Sequence, residues 1–309
     1  MTQSTSEFEE RPTDVTAESA HIGSGGDFVD GSVDGSGGGS VGGPVGRRPN
    51  PLVEEVSLLL LAVMFYTRIR TPKWVGYSDD RMNRATRHFP VIGWLTGVVV
   101  AGVLWVTQLI LPLPVAVVLG LAVGVLVTGG FHEDGFADVC DGFGGGATTQ
   151  RTLDIMKDSR LGVFAVLGLV LLFALKITAL SALLADGLWA GLVAIVFAHV
   201  LSRWCVVTII FRGTYARPLG PSKARAVAHA LPVSAVVVAT CWLIPFAGLA
   251  WWHPWWLLAI PAGFLVRLLL GHWFTRRLGG YTGDCLGATQ QIIEIVTIVV
   301  CLGLAGVGL

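Results

Sequence analysis

The sequence predicts an all-α, polytopic integral membrane protein: a bundle of seven long helical spans preceded by one short apolar segment. Three observations carry this. Of 309 residues, 53% are hydrophobic and only 14% charged, and the mean hydropathy of +0.69 is high for a soluble enzyme. Apolar runs of about 18 residues or more, the length a helix needs to cross a bilayer, recur along the chain. The lysines and arginines between those runs fall only in alternate loops, as they do when basic loops stay on the cytoplasmic side.

Residues 1–50 differ in kind from the rest. They contain GSGGDFVDGSVDGSGGGSVGGPVG and many acids, with almost no large apolar side chains. Such a segment cannot bury enough surface to offset its ordering entropy, so a disordered tail is expected. It has no apolar h-region and begins acidic, unlike a signal peptide. Residues 51–309 are read as a single membrane-embedded catalytic domain. Its first apolar stretch, near 52–66, is short and is left open as a tilted span, a re-entrant helix or an interfacial helix. Seven spans follow near 89–110, 115–130, 161–184, 188–211, 231–250, 255–273 and 287–308.

The loops sort by charge. Arg68, Arg70, Lys73, Arg81, Arg84 and Arg87 precede the first long span. Arg151, Lys157 and Arg160 follow the second, Arg212, Arg217, Lys223 and Arg225 the fourth, and Arg276 and Arg277 the sixth. The intervening turns, LPLP at 111–114, ADG at 185–187 and the stretch around His253 and Pro254, carry no Lys or Arg. One alternating topology therefore satisfies every loop and places all the polar loops on the cytoplasmic face. Trp251, Trp252, Trp255 and Trp256 read as an interfacial belt. The formal net charge is zero, and no basic patch argues for nucleic acid. Five scattered cysteines without a CxxC pair argue against disulfides or a zinc site.

The chemistry concentrates in FHEDGFADVCDGFGGGATTQRTLDIMKDSRLG, residues 131–162. It holds six carboxylates (Glu133, Asp134, Asp138, Asp141, Asp154 and Asp158) between two long apolar runs. Acids beside membrane spans are costly without a role. Asp134, Asp138 and Asp141 are spaced by four and three, so on a helix they share one face. Like charges that close favour a bound cation, and carboxylate oxygens suit Mg²⁺. Glu133 sits about 100° away, as a supporting group or a separate ligand. Asp154 and Asp158 form a second four-residue pair. Gly142, Gly144, Gly145 and Gly146 would let backbone N–H groups approach an anion. The bland alternative is a solvated acidic loop, and each acid taken singly fits it. His132 flanks the motif as a weaker candidate. His199 and Arg203 share a face within a span, where Arg203 either binds an anion or snorkels to the surface. Asp284, in GGYTGDCLGATQQIIE, is either a turn residue or part of the same site.

At this point the residues resemble a known family. HEDGFADVCDGFGGG, then IMKDSRLGVFAV, then YTGDCLGATQQ, preceded by FYTRIRTP and HFPVIGW, are similar to the cobalamin synthases, also called adenosylcobinamide-GDP ribazoletransferases. The resemblance runs from about residue 56 to 303 and omits the tail. It implies a multi-pass inner-membrane enzyme with its site facing the cytoplasm. The enzyme would join adenosylcobinamide-GDP to α-ribazole or its 5′-phosphate, release GMP and require Mg²⁺. On that reading Asp134, Asp138 and Asp141 would hold Mg²⁺, and Asp284 would complete the metal site or bind a second ion. Asp158 is the first choice of general base and Asp141 the second. Lys157 and Arg160 would contact phosphate oxygens, and Arg203 is a weaker candidate. Homo-oligomerisation is left open. Two other classes compete. A CDP-alcohol-type phosphotransferase would carry Ala-Arg after its first Asp-Gly, whereas Phe136, Ala137 and Asp138 follow Asp134-Gly135 here. A cation-coupled transporter would place its acids at mid-membrane on broken, repeated helices.

Overall fold

The computed structural model describes residues 50–217 and 230–305. The tail reading for residues 1–50, and Lys223 and Arg225 of the basic loop, fall outside the described residues, apart from Asn50. Helix α1 (Pro51–Tyr66) starts on an N-cap, Asn50, whose side chain accepts from Leu52 N at 3.0 Å, with Pro51 at the first helical position. Its 16 residues reach about 24 Å, short of a hydrocarbon core of about 30 Å. Its acids hold the basic segment that follows. Glu54 pairs with Arg81 and Arg84 of α2 (Asp79–Ala85) at 3.5 and 3.2 Å, and Glu55 pairs with Arg87 at 2.5 Å.

The bundle is built around α8 (Leu188–Arg212), buried along most of its length. Helix α3 (Phe89–Thr107) lies along it, and glycines set the approach. A Cβ on Gly93 would stand 2.5 Å from His199 O, and one on Gly97 would stand 2.9 Å from Val196 Cα. With lipid outside as apolar as the side chains inside, such close backbone packing holds spans together. Helix α4 (Leu113–Thr128) returns beside α3. It ends at Gly129 and Gly130, with φ of +71° and +74°, and the chain turns by 92° into α5 (Phe131–Gly145). Two consecutive left-handed residues favour glycine, and these two make the corner.

Helix α5 therefore leaves the line of α4 and packs against α7 (Val163–Asp186) and α12 (Gly283–Ala305). A short α6 (Thr149–Ile155), capped by the Thr148 hydroxyl accepting from Arg151 N at 3.2 Å, leads into the loop before α7. Beyond α8 come α9 (Val233–Cys241), a 3₁₀ turn at Ile244–Gly248 begun with Pro245, α10 (Leu249–Trp252), and then α11 (Ala259–Leu278). Before α12, Tyr281 N donates to Thr214 O and Ala216 N donates to Tyr281 O, both at 2.8 Å. That isolated bridge ties the end of α8 to the start of α12, and no longer strand occurs among the described residues.

The all-α membrane bundle stands, with its spans amended. Five helical stretches are long and apolar enough to cross alone, and two bent pairs bring the total to seven. The second and fifth expected spans are broken, by 92° at Gly129–Gly130 and by 48° ahead of Pro245. The glycine-rich turn is a helix: α5 continues through Gly145. Asp154 and Asp158 do not share a helix face, because α6 ends at Ile155. Trp251, Trp252 and Trp255 are exposed as a belt requires, but Trp256 is fully buried and stacked on His253.

Gly93→Ala should destabilise the purified protein by about 1–3 kcal/mol, because the new methyl meets the backbone of α8 rather than a movable side chain. Gly102 on the same helix meets nothing, so Gly102→Ala should be neutral or stabilise by about 0.5–1 kcal/mol. Thermal unfolding midpoints in detergent check both, and equal shifts would refute the packing account.

Candidate active site

Helix α5 distributes its acids among different neighbours. Asp134 is exposed and lines a cavity of about 190 Å³ bordered by Asp284, Arg217, Gly135 and Gly287. It also lines an open pocket of about 590 Å³ on the side of Arg68 and Leu161. Asp138, half-buried one turn on, is within electrostatic reach of Asp134, Asp284, Asp141 and Arg217. The side chain of neither Asp134 nor Asp138 makes a hydrogen bond or ion pair to a described residue. Asp284 arrives because α5 and α12 touch through glycines. A Cβ on Gly135 would stand 2.9 Å from Asp284 Cα, and one on Gly287 would stand 3.0 Å from His132 O. Asp284 Oδ2 accepts from Arg217 Nη2 at 2.8 Å and from the Thr282 hydroxyl at 3.3 Å.

Asp141 binds elsewhere. Its oxygens accept from Gly162 N at 2.6 Å and Ala165 N at 2.8 Å, so it caps the N-terminus of α7 from a neighbouring helix. Glu133 turns inward, where its Oε1 accepts from Gln291 Nε2 at 2.9 Å. Behind it lies a buried polar hub. Glu294 receives Lys176 Nζ at 2.6 Å, His199 Nδ1 at 3.0 Å and Arg203 Nη1 at 3.6 Å, and Gln290 Nε2 also donates to it. Lys176 Nζ donates to Gln291 Oε1 at 2.6 Å as well. Arg203 thus sits in the bundle interior, 2% exposed, and does not snorkel.

The loop after α6 holds the remaining candidates. Lys157 and Arg160 are exposed, and Arg160 grips Asp158, with Nη2 to Oδ2 at 2.6 Å and Nε to Oδ1 at 3.0 Å. That fork, with the Arg160 backbone N–H, holds the Asp158 carboxyl down at about 2. Gly144 packs on Phe164, where a Cβ would stand 2.5 Å from the ring. Gly145 only makes ordinary contact, with Ile155. Both lie within α5, so they serve its packing and form no open anion cradle.

Mg²⁺ can be tested against these donors. Among the described residues, no three His, Cys, Asp or Glu side chains close on one point as a ready-made cage. Mg²⁺ does not require one, since it keeps several waters and takes one or two carboxylates with substrate phosphates. The unpartnered pair Asp134 and Asp138 fits that pattern. Asp141 is committed elsewhere, Glu133 gives Oε1 to Gln291 while its Oε2 has no partner, and the five expected ligands are not gathered as a set among the described residues.

The sequence profile of the cobalamin-5-phosphate synthase family matches residues 58–302. The chain belongs to this family. Relatives named adenosylcobinamide-GDP ribazoletransferase include that of Shewanella amazonensis, 43% identical over 256 residues, covering 80% of this chain and 95% of the relative. That of Leptothrix cholodnii is 41% identical over 254 residues, covering 79% and 94%. That of Shewanella frigidimarina is 40% identical over 257 residues, covering 81% and 95%. No solved structure matches the chain.

Three residues of the site and of the hub behind it carry no motif: Arg217 reads in the sequence only as loop charge, and Lys176 and Glu294 lie inside apolar spans. A signal existed for the last two: a lone cation in one apolar span and a lone anion in another pair more cheaply than either stands alone. Glu294→Gln should cost about 3–5 kcal/mol of stability, because it strands Lys176 and Arg203 as buried charges. Adding Lys176→Met should recover part of that loss in the same melting measurement. A double variant worse than the sum of both singles would refute the pairing.

Proposed function

We infer that the chain joins adenosylcobinamide-GDP to α-ribazole or its 5′-phosphate, late in cobalamin biosynthesis, and releases GMP. Family membership supports the transferase activity. The observation that carries its location is the pair of unpartnered carboxylates, Asp134 and Asp138, beside a pocket closed by the Asp284–Arg217 ion pair. The basic loops around that pocket support a cytoplasmic site in the inner membrane.

In the reaction, the ribazole hydroxyl oxygen attacks the phosphorus next to cobinamide. A new P–O bond forms, the P–O bond to GMP breaks, and the hydroxyl proton passes to a base. Asp134 and Asp138 would hold a Mg²⁺, which when bound neutralises diphosphate charge. Arg217, 2.8 Å from Asp284 and in reach of the loop at Met156, would both orient Asp284 and face the phosphate. Lys157 and Arg160, exposed on the loop before α7, are the further candidates for phosphate contacts.

The proton acceptor is reassigned. Asp158 is held by Arg160 and too acidic to serve well, and Asp141 spends both oxygens on α7. Asp284 keeps Oδ1 free of described partners and lines the pocket, so we assign it the base role.

Asp138→Asn should abolish GMP release while the protein still inserts, with any residual activity needing far more Mg²⁺. Asp158→Asn should stay within about twofold of wild type, as exposed substitutions usually do. The check is GMP release by purified protein given both substrates across an Mg²⁺ titration. A dead Asp158→Asn beside an active Asp284→Asn would return the base role to Asp158.

A further inference from the structure

The pocket beside Asp134 has a wall that the transfer chemistry does not use. Phe65, Tyr66, Phe89 and Phe131 border it together. Their rings brace one another: Phe65 and Tyr66 each meet Phe131 at 6.0 Å, at steep angles of 71° and 80°, and Tyr66 meets Phe89 at 4.2 Å with a tilt of 33°. Phe131 is 44% exposed and borders both this cavity and the open pocket beside it. The cavity of about 190 Å³ lies below the range of about 300–1,000 Å³ that holds a whole drug-sized ligand. It suits one fused planar ring and cannot admit a corrin.

We propose that this aromatic pocket seats the planar base of α-ribazole, an assignment that rests on the transferase reading above. Two flat bases enter that reaction, and their edges differ. Guanine carries several donors and acceptors, each costly to bury without a partner. The ribazole base is a fused ring with two methyl groups and a single free ring nitrogen, which only accepts. The wall is made of aromatic rings, and the pocket offers a matching neutral donor. Tyr215 borders it with a buried phenol oxygen that has no partner among the described residues. Burial pushes that phenol's pKa up, so it keeps its proton to donate. Two other lining atoms are unpartnered: Arg217 Nε belongs to the guanidinium that pairs with Asp284 and faces the phosphate, and His132 also borders a separate cavity of about 20 Å³ beside Glu133 and Arg203, room for about one water.

The placement also serves the reaction. A base held against the four rings sets its ribose toward Asp134 and Asp284 on the same pocket. Asp134 and Phe131 line the open 590 Å³ pocket too, which leaves that larger side for the corrin-bearing nucleotide.

The test uses the full chain in detergent with Mg²⁺, varying one substrate while the other is saturating. Phe131→Leu keeps an apolar side chain and loses the ring, whereas Phe131→Tyr keeps the ring face. Because stacking on one aromatic ring is worth about 1–3 kcal/mol, Phe131→Leu should raise the KM for α-ribazole about tenfold, and Phe131→Tyr should not. The KM for adenosylcobinamide-GDP should stay within about twofold in both. Tyr215→Phe should raise the ribazole KM as well, and equilibrium dialysis with α-ribazole alone should show the same order of weakening. Wild-type turnover with a ribazole KM unmoved by Phe131→Leu overturns the pocket assignment alone. A rise in the KM for adenosylcobinamide-GDP instead gives the pocket to guanine and overturns it too. Wild-type protein that releases no GMP sinks the transferase reading itself.

Discussion

Glu294 is the interaction on which the rest of the bundle depends. An ionised carboxylate in a membrane interior is tolerable only when paired, and this one is paired three ways, from Lys176 on α7 and from His199 and Arg203 on α8. One buried acid on α12 therefore fixes three helices to one another. Gln291, one turn back on α12, passes the constraint to Glu133 and so to α5. Helix α5 has turned 92° away from its predecessor and crosses no membrane alone, so it needs anchors other than span packing. Its anchors are this polar tether, the Asp141 cap on α7, and glycine contacts with the start of α12.

The periodicity of α5 then divides labour. At about 100° per residue, Glu133 and Asp134 cannot face the same way. Glu133 gives Oε1 to the hub, and its neighbour Asp134 lines the two pockets beside Asp284 and Arg68. Asp138 follows Asp134 by four and stays on its side, while Asp141 keeps that direction but lies about 10 Å further along the axis, where it meets the start of α7. Structural and chemical acids share one helix, so removing either kind damages the site by a different route.

Much of this was legible in the sequence. Span positions follow from apolar length alone, and the spacing of Asp134 and Asp138 placed them together on α5. The 92° corner was less visible, because Gly129 and Gly130 sit in a chain with 40 glycines and only their consecutive left-handed conformation makes them a turn. Asp141 matched the stripe by spacing, yet two unsatisfied N–H groups at the start of α7 claimed it, a competition that only tertiary structure reveals. Asp158 sat beside the right cations, but Arg160 was close enough to neutralise it locally. Arg217 became a site residue through the bridge between Tyr215 and Tyr281, a long-range pairing without any sequence pattern.

The contact of Gly135 with Asp284 bears on how the enzyme comes into being. Helix α5 is made early and α12 late, so the ribosome delivers the acidic helix to the membrane well before the helix that completes its pocket. Until α12 arrives, Lys176 and Arg203 lack their counter-ion, and α5 lacks the glycine-lined partner against which it docks. Insertion proceeds span by span, but the site closes in one late, non-local event. A nascent chain interrupted before that point carries Lys176 and Arg203 in its spans without the acid that pairs with them.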